Sequence, residues 1–321
     1  MNRTVCTAAN GRYFGSAVNL IGSLHRRHPE GIDVRVYDLG LSSVERRIVG
    51  ALERSTLRDV PRFCAHALEP DLFAWKIAAI HDTLRSVTGA VLWLDAGVEA
   101  VRPLDALFRA IERDGCLFNV CPYDYAFARV GSLTTKRCLE GMDASAPEYS
   151  EAFFVNAGIQ GYLSGHPACA VIDEAMSYAA DPGIIGGSRA THRQDQSIVS
   201  ILRVRHGLPA TFWLAPDPGD PERWPTLYPA GRDHPIPIEA AEAIMVSSPG
   251  YLKVKRRNAE YMHAEHLRWD NATSGRHLRR VLRRRLFVAD VKRCARRFRK
   301  SVALFFGTGV RGNGKPPIDG A

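Results

Sequence analysis

Apolar residues recur along the chain at two periods, and the points where the period changes divide it into elements. Residues 3–7, RTVCT, form a short β-like run that ends in AANGRY. Phe14, Ala17, Val18, Ile21 and Leu24 then keep the three-and-four spacing of an amphipathic helix, which His28-Pro29 and Gly31 stop. IDVRVYDLG alternates as a strand and ends at Asp38 and Gly40; SSVERRIVGAL opens on serine caps and predicts a second helix. DLFAWKIAAIHDTLRSV predicts a third helix, with Asp71 as its cap and Phe73, Ile77, Ile80 and Leu84 on one face. After Gly89 comes AVLWL, an unbroken apolar run of the kind found in strands buried on both faces.

The first hundred residues therefore read strand–helix–strand–helix–helix–strand, the alternation of an α/β fold with right-handed crossovers. In such folds ligands sit beyond the carboxyl ends of the strands. Those ends carry Ala8-Ala9-Asn10, Tyr37-Asp38 and Asp95. The second half is less regular. EAFFVNAGIQGYL is expected to be a strand broken at Asn156-Ala157-Gly158, HPACAVIDEAMSYAA a helix opened by Pro167, and HRQDQSIVSILRVRHG a polar start feeding a helix with Ile198, Ile201 and Leu202 inward. Residues 215–237 are proline-rich and read as a loop, and AIMVSSPGYLKVK as a last hairpin. The expected organisation is one domain over 1–275, divided into a half at 1–121 and a half at 122–275, then a basic amphipathic helical tail over 276–306 and a disordered end over 307–321.

Composition changes this picture in one place. The 321 residues are 45% hydrophobic and 24% charged, ordinary for a globular chain. The net charge of +9 is unevenly spread: residues 276–300 hold twelve Lys or Arg against the single acid Asp290, which leaves −2 for everything else. The seven cysteines are scattered without a C-x-x-C pair, so buried reduced thiols are expected. No run approaches the ~18 apolar residues of a membrane span, and MNRTVCTAAN lacks the apolar stretch of a signal peptide. A cytoplasmic protein is the expectation.

The commonest nucleotide and hydrolase signatures are missing: no G-x-G-x-x-G follows the first strand, and there is no G-x-x-x-x-G-K-[ST], G-x-S-x-G or H-E-x-x-H. Five other segments occur in order: TAANGRYFGSAVNLIGSLHRRHP, FAWKIAAI, LWLDAG, NAGIQGYL and RQDQSIV. Together, over about residues 3–205, they resemble the GT-A glycosyltransferases, especially the family 8-like group that includes glycogenin and the bacterial lipopolysaccharide galactosyltransferases. The resemblance implies a GT-A-like, Rossmann-like fold with a mixed central sheet. It also implies transfer of a sugar from a nucleotide-diphosphate donor to a glycan, lipid or protein acceptor, with retention of configuration.

Carried onto this chain, the resemblance places Ala8, Ala9, Asn10, Tyr13 and Asp38 around the nucleoside. Lys76 and Arg193 then lie at the diphosphate, Asp95 at the ribose or a metal, and Asn156, Ala157 and Gln196 at the transferring sugar. Asp195 would lie beside the anomeric carbon, making Asp195, Gln196 and Lys76 the catalytic set. Removing Lys76 is expected to weaken donor binding and leave folding intact. Blander readings stand beside these: Lys76 as a solvated helix lysine, Asp195 as an acid favoured by a helix N-terminus, Asn10 as a plain turn residue.

The sequence departs from that family at two points. Where the family has aspartate–any–aspartate, the second position here is Gly97, so an Mn²⁺ or Mg²⁺ ion would rest on Asp95, helped by Glu99 if the turn bends back. The family's C-terminal histidine segment is also missing; His263, His266 and His192 are the substitutes on offer. Two rival functions remain open, a sugar nucleotidyltransferase and a sugar-nucleotide-binding protein without turnover. The basic tail suits an anionic membrane surface, which would make the protein peripheral at the inner face of the membrane. It suits nucleic acid poorly, because only Phe287 and Phe298 are there to stack.

Overall fold

The computed structural model describes residues 1–100, 103–120, 129–212, 263–270 and 275–284. The expected 215–237 loop, the hairpin after it and the 307–321 end lie outside the described residues. The chain forms two compact units, Met1–Asp270 and Asn271–Ala321.

In the first unit β1 (Arg3–Ala9), α1 (Phe14–Arg27), β2 (Asp33–Asp38) and α2 (Ser43–Val49) follow the hydrophobic pattern closely. Ser42 caps α2 in a reciprocal box with Glu45. Next comes β3 (Ser55–Asp59), a strand the pattern does not reveal. It pairs only with β2 and is half-exposed, so it carries little apolar alternation. Then follow α3 (Ala74–Ser86), β4 (Ala90–Leu94), α4 (Asp105–Asp114) and β5 (Cys116–Val120). The second half holds the short helices α5 (Lys136–Gly141) and α6 (Pro147–Ser150), β6 (Val155–Leu163), α7 (Ala170–Ala179), α8 (Pro182–Ile185), α9 (Asp195–Arg205) and β7 (Thr211–Phe212). Two expectations are corrected. Helix α3 begins after Phe73, not at Asp71, which is exposed and pairs with Arg189. Strand β6 runs unbroken through Asn156-Ala157-Gly158.

The seven strands form one mixed sheet in the order β3-β2-β1-β4-β6-β5-β7. This is the α/β class with a mixed central sheet that the sequence led us to expect. Strands β1 to β4 are mutually parallel where they pair, whereas β6 enters between β4 and β5 antiparallel to both. Its direction decides the function-bearing geometry: the amino end of β6 lies beside the carboxyl end of β4, pairing Leu94 with Ile159 and placing the Gly158 carbonyl 2.9 Å from the Asp95 amide.

Helices cover both faces. Cys6, Val91, Trp93, Phe118 and Tyr162 meet α3, α7 and α9 in one continuous core, while α1 and α4 lie against β1, β4 and β6 on the other side. Burial on both faces explains why AVLWL tolerates no polar residue. Of the cysteines described, Cys6, Cys64, Cys116, Cys138 and Cys169 are all free; Cys6, Cys116 and Cys138 are buried and their thiols are pushed up by that burial.

Close packing of the sheet on α4 generates a stability prediction. A Cβ on Gly161 would stand 2.3 Å from Ile111 Cδ1 and 3.1 Å from Leu117 Cβ. Gly161→Ala should therefore cost about 1–3 kcal/mol, the usual penalty of overpacking, read from the urea midpoint. Trimming the opposing side chain, in Gly161→Ala with Ile111→Val, should recover part of the loss.

Candidate active site

The site grows from two helix starts and one strand end. Lys76 lies in the first turn of α3, where the helix dipole opposes a cation. Its ammonium is buried and three oxygens surround it: Asp95 Oδ1 at 3.0 Å, Asp195 Oδ2 at 3.3 Å and the Ala157 carbonyl at 3.3 Å. Aromatic faces complete the enclosure, with ring centres of Phe73, Trp93 and Trp75 at 5.3, 5.7 and 5.9 Å. Burial alone would depress the ammonium, but the Asp195 and Asp95 carboxylates outweigh it and hold Lys76 above the ordinary lysine value.

The two carboxylates are not alike. Asp95 is half-exposed just past β4; its Oδ1 accepts from Trp93 Nε1 at 2.9 Å, and its Oδ2 faces Gly158. Any side chain at Gly158 would begin 3.1 Å from both Asp95 Oδ2 and Asn156 Oδ1, so those carboxylate and amide groups would have to move aside by a few tenths of an ångström. Asp195 is the first residue of α9 and is buried. Burial, reinforced by the negative charge of Asp95, raises its carboxyl to about 6 in spite of Lys76. Two acids and one buried base leave the cluster with one acid in excess.

Backbone strain marks both helix starts. Phe73 precedes α3 at φ 60°, and Gln194 precedes α9 at φ 45°, ψ −117°. Each costs about 1–3 kcal/mol in a non-glycine residue. Arg189, in the segment before α9, meets the α3 start, pairing with Asp71 at 3.3 Å and lying over the Phe73 ring at 5.0 Å. Gln194 is itself buried and donates to the Gly187 carbonyl at 2.9 Å. Neither strained residue nor the indole of Trp93 is among the sequence-derived candidates. Trp93 carries the one legible signal, since it shares a strand face with Asp95 two residues on.

The other candidates separate into those the structure gathers here and those it employs elsewhere. Asn156 and Ala157 lie on the β6 end beside Asp95, and Asn156 Oδ1 accepts from the Gly158 amide at 3.1 Å. Arg193 is exposed and its guanidinium meets no partner among the described residues, whereas Gln196 is half-buried one position past Asp195. Asn10 forms the turn after β1, its Oδ1 accepting from the Arg12 and Tyr13 amides at 3.0 and 3.3 Å. Ala8 and Ala9 are buried in β1, and Tyr13 is half-buried.

Four of the candidates meet protein partners. Lys76 is buried between the Asp95 and Asp195 carboxylates and donates to the Ala157 carbonyl, so its charge is met by protein acids. Asp38 holds the turn into α2, accepting from the Gly40 and Leu41 amides at 2.7 and 2.6 Å and pairing with Arg46. Glu99 is joined to His263 Nε2 at 2.5 Å and Asn19 Nδ2 at 3.4 Å, fastening the 263–270 segment to α1. His192 is buried with Nε2 donating to the Ile184 carbonyl at 3.0 Å, and burial lowers its pKa, so it is a packing residue. His266 is half-exposed beside Glu265.

A divalent ion is tested by these donors. Among the described residues no group of three or more His, Cys, Asp or Glu is arranged for a metal. Asp95 Oδ2 and the neighbouring Asn156 Oδ1 are the hard oxygens on hand. That set does not cage an ion by itself, but it fits one that arrives with phosphate oxygens and keeps its waters.

No family model and no curated protein sequence matches the chain. Solved structures do. One is the galactosyltransferase LgtC in complex with donor and acceptor sugar analogs, 16% identical with a TM-score of 0.44, covering 78% of this chain and 99% of that one. Another is mouse xyloside xylosyltransferase 1 in its apo form, 12% identical with a TM-score of 0.42, over 67% of this chain and 84% of that one. A third is the apo WbbM bifunctional glycosyltransferase, 15% identical with a TM-score of 0.43, over 66% of this chain and 38% of that one.

Two predictions follow from the clamp. Lys76→Met should cost about 3–5 kcal/mol, because it leaves a buried carboxylate without its counter-charge; in urea titrations most of this should return in Lys76→Met with Asp195→Leu. The second concerns pH. The folded Asp195 carboxyl, near 6 against an ordinary 3.8, binds its proton more readily than the unfolded chain does. Its contribution to stability is therefore complete below about pH 4 and is lost as pH rises through about 6. Asp195→Asn should flatten the thermal-unfolding profile across that window.

Proposed function

We propose that the protein is a glycosyltransferase of the GT-A type, moving a sugar from a nucleotide-diphosphate donor to a glycan, lipid or protein acceptor with retention of configuration. The observation that carries this reading is the Lys76-clamped pair of Asp95 and Asp195 at the junction of the β4 end and the antiparallel β6 start. Glycosyl transfer breaks the bond between the anomeric carbon and the diphosphate, whose oxygen keeps the electron pair; the sugar gains positive charge in passing, the acceptor's hydroxyl oxygen bonds to the anomeric carbon, and its proton goes to the departing diphosphate. Such a step needs anionic groups on the sugar side and cationic groups on the leaving side. Asp195, held in place by Lys76, supplies the former in this reading, with Asn156 and Gln196 orienting the sugar hydroxyls. With Lys76 committed to the acids, Arg193 is the candidate cation left for the diphosphate.

The donor set favours Mg²⁺ or Mn²⁺ as part of the substrate, carried on the diphosphate and touching the protein at Asp95. Such an ion would neutralise charge on the leaving group. The same facts favour one rival, a sugar-nucleotide-binding protein without turnover: Gly97 contributes no second carboxylate, and Lys76 is occupied.

A thermal-shift screen against UDP-, GDP-, ADP- and CMP-sugars identifies the nucleotide, and hydrolysis of the stabilising donor separates enzyme from binding protein. Asp95→Ala should lower kcat by about 10²-fold or more while the protein stays folded, since Lys76 retains Asp195. EDTA should abolish activity and Mn²⁺ restore it, whereas calorimetry with Mn²⁺ but no donor should show only weak binding. Tight Mn²⁺ binding by the free protein would refute the substrate-borne ion, and full activity in EDTA would leave the diphosphate to Arg193. Donor stabilisation without turnover would establish the rival.

A further inference from the structure

The indole of Trp93 belongs to the core between sheet and helices, yet its one polar atom reaches the candidate site. The ring is buried and packed against Trp75, with ring centres 6.2 Å apart, and Nε1 donates to Asp95 Oδ1 at 2.9 Å. Across the strand pair Trp93 stands opposite Gln160, whose Nε2 donates to the Ala157 carbonyl at 3.1 Å. Tyr162 donates in turn to Gln160 Oε1 at 2.7 Å. One cross-strand pair thus aims two N–H donors at two of the oxygens that receive Lys76.

Asp95 has use for a directional donor. Its side chain is half-exposed, and the last torsion of an aspartate is broad and two-fold. Lys76 attracts the carboxylate, but an ammonium is a compact point charge with rotating protons and imposes little direction. The indole is planar and held by packing, so its N–H points along one line. With Oδ1 taken by Trp93 and Lys76, Oδ2 lies toward Gly158 and meets no hydrogen-bond donor among the described residues.

Resting on the glycosyltransferase reading, we propose that Trp93 is a positioning residue for the donor's diphosphate: its indole N–H commits Asp95 Oδ1 to the protein and so presents Oδ2 to a phosphate-borne cation. Gly97 supplies no second carboxylate, so the direction of this one oxygen decides how firmly the ion is met.

The test is calorimetric titration of the full chain with UDP, GDP and ADP, each with Mn²⁺ and each in EDTA. The wild type should bind one of the three more tightly with Mn²⁺. Placing 3-benzothienylalanine at position 93 keeps the shape of the ring and replaces its N–H by sulfur. That protein should lose about tenfold or more of the affinity gained from Mn²⁺, the worth of a hydrogen bond to a charged group, and bind as the wild type does in EDTA. Trp93→Phe should show the same loss, and 7-azatryptophan at this position, which keeps the N–H, should restore the gain. An undiminished Mn²⁺ gain in the sulfur analogue would overturn the proposal and leave the donor reading standing. Equal losses with Mn²⁺ and in EDTA would overturn it in favour of a packing role. Binding of none of the three nucleotides by the wild type would overturn the donor reading and the proposal with it.

Discussion

A lysine ammonium enclosed by protein cannot stay charged without counter-charges, and the centre of this molecule is arranged around that requirement. Lys76 draws Asp95 from the end of β4 and Asp195 from the start of α9 to within 3.3 Å of one nitrogen. It also takes the Ala157 carbonyl from β6. Three segments far apart in the chain are thereby held at one point. The arrangement is over-determined, for three aromatic rings surround the same nitrogen and Trp93 donates to Asp95 as well.

The second constraint is the reversed strand. Were β6 parallel to β4, its amino end would lie at the opposite edge of the sheet and Asn156-Ala157-Gly158 would never meet Asp95. The antiparallel pairing brings a strand start and a strand end to the same place. The two acids then differ by environment: one is half-exposed and hydrogen-bonded, the other buried and raised toward 6. Two groups of one chemical type thus acquire separate behaviour, as acid pairs in active sites commonly do.

The charge asymmetry between the units has a simple consequence for how the molecule is used. The first unit is near neutral, so it has no broad electrostatic attraction for phosphate surfaces, and small anions must be recognised by local geometry. The excess cationic charge lies in residues 276–300, where the helix at 275–284 presents arginines on one side and hides Leu278 and Leu282 on the other.

Periodicity determined α1, β2, α2, α3 and β4, because each buries a whole face and the hydrophobic effect writes a face into the residue order. It also put Asp95 at the end of a buried strand, the feature that singled this residue out. The edge strand β3 left no such mark, being half-exposed on both sides. Apolar spacing was equally silent on the direction of β6, since a buried strand reads the same in either sense. Tertiary structure alone decided what the polar candidates do. An ammonium, a carboxylate or an imidazole is equally at home in a turn, a clamp or a pocket, and its partners lie many residues away: Asp195 is distant in sequence from Lys76, and His263 from Glu99. Asp38, Glu99 and His192 were legible as residues able to bind a ligand. Only the packed fold, which gave each of them a protein partner, showed how they are employed.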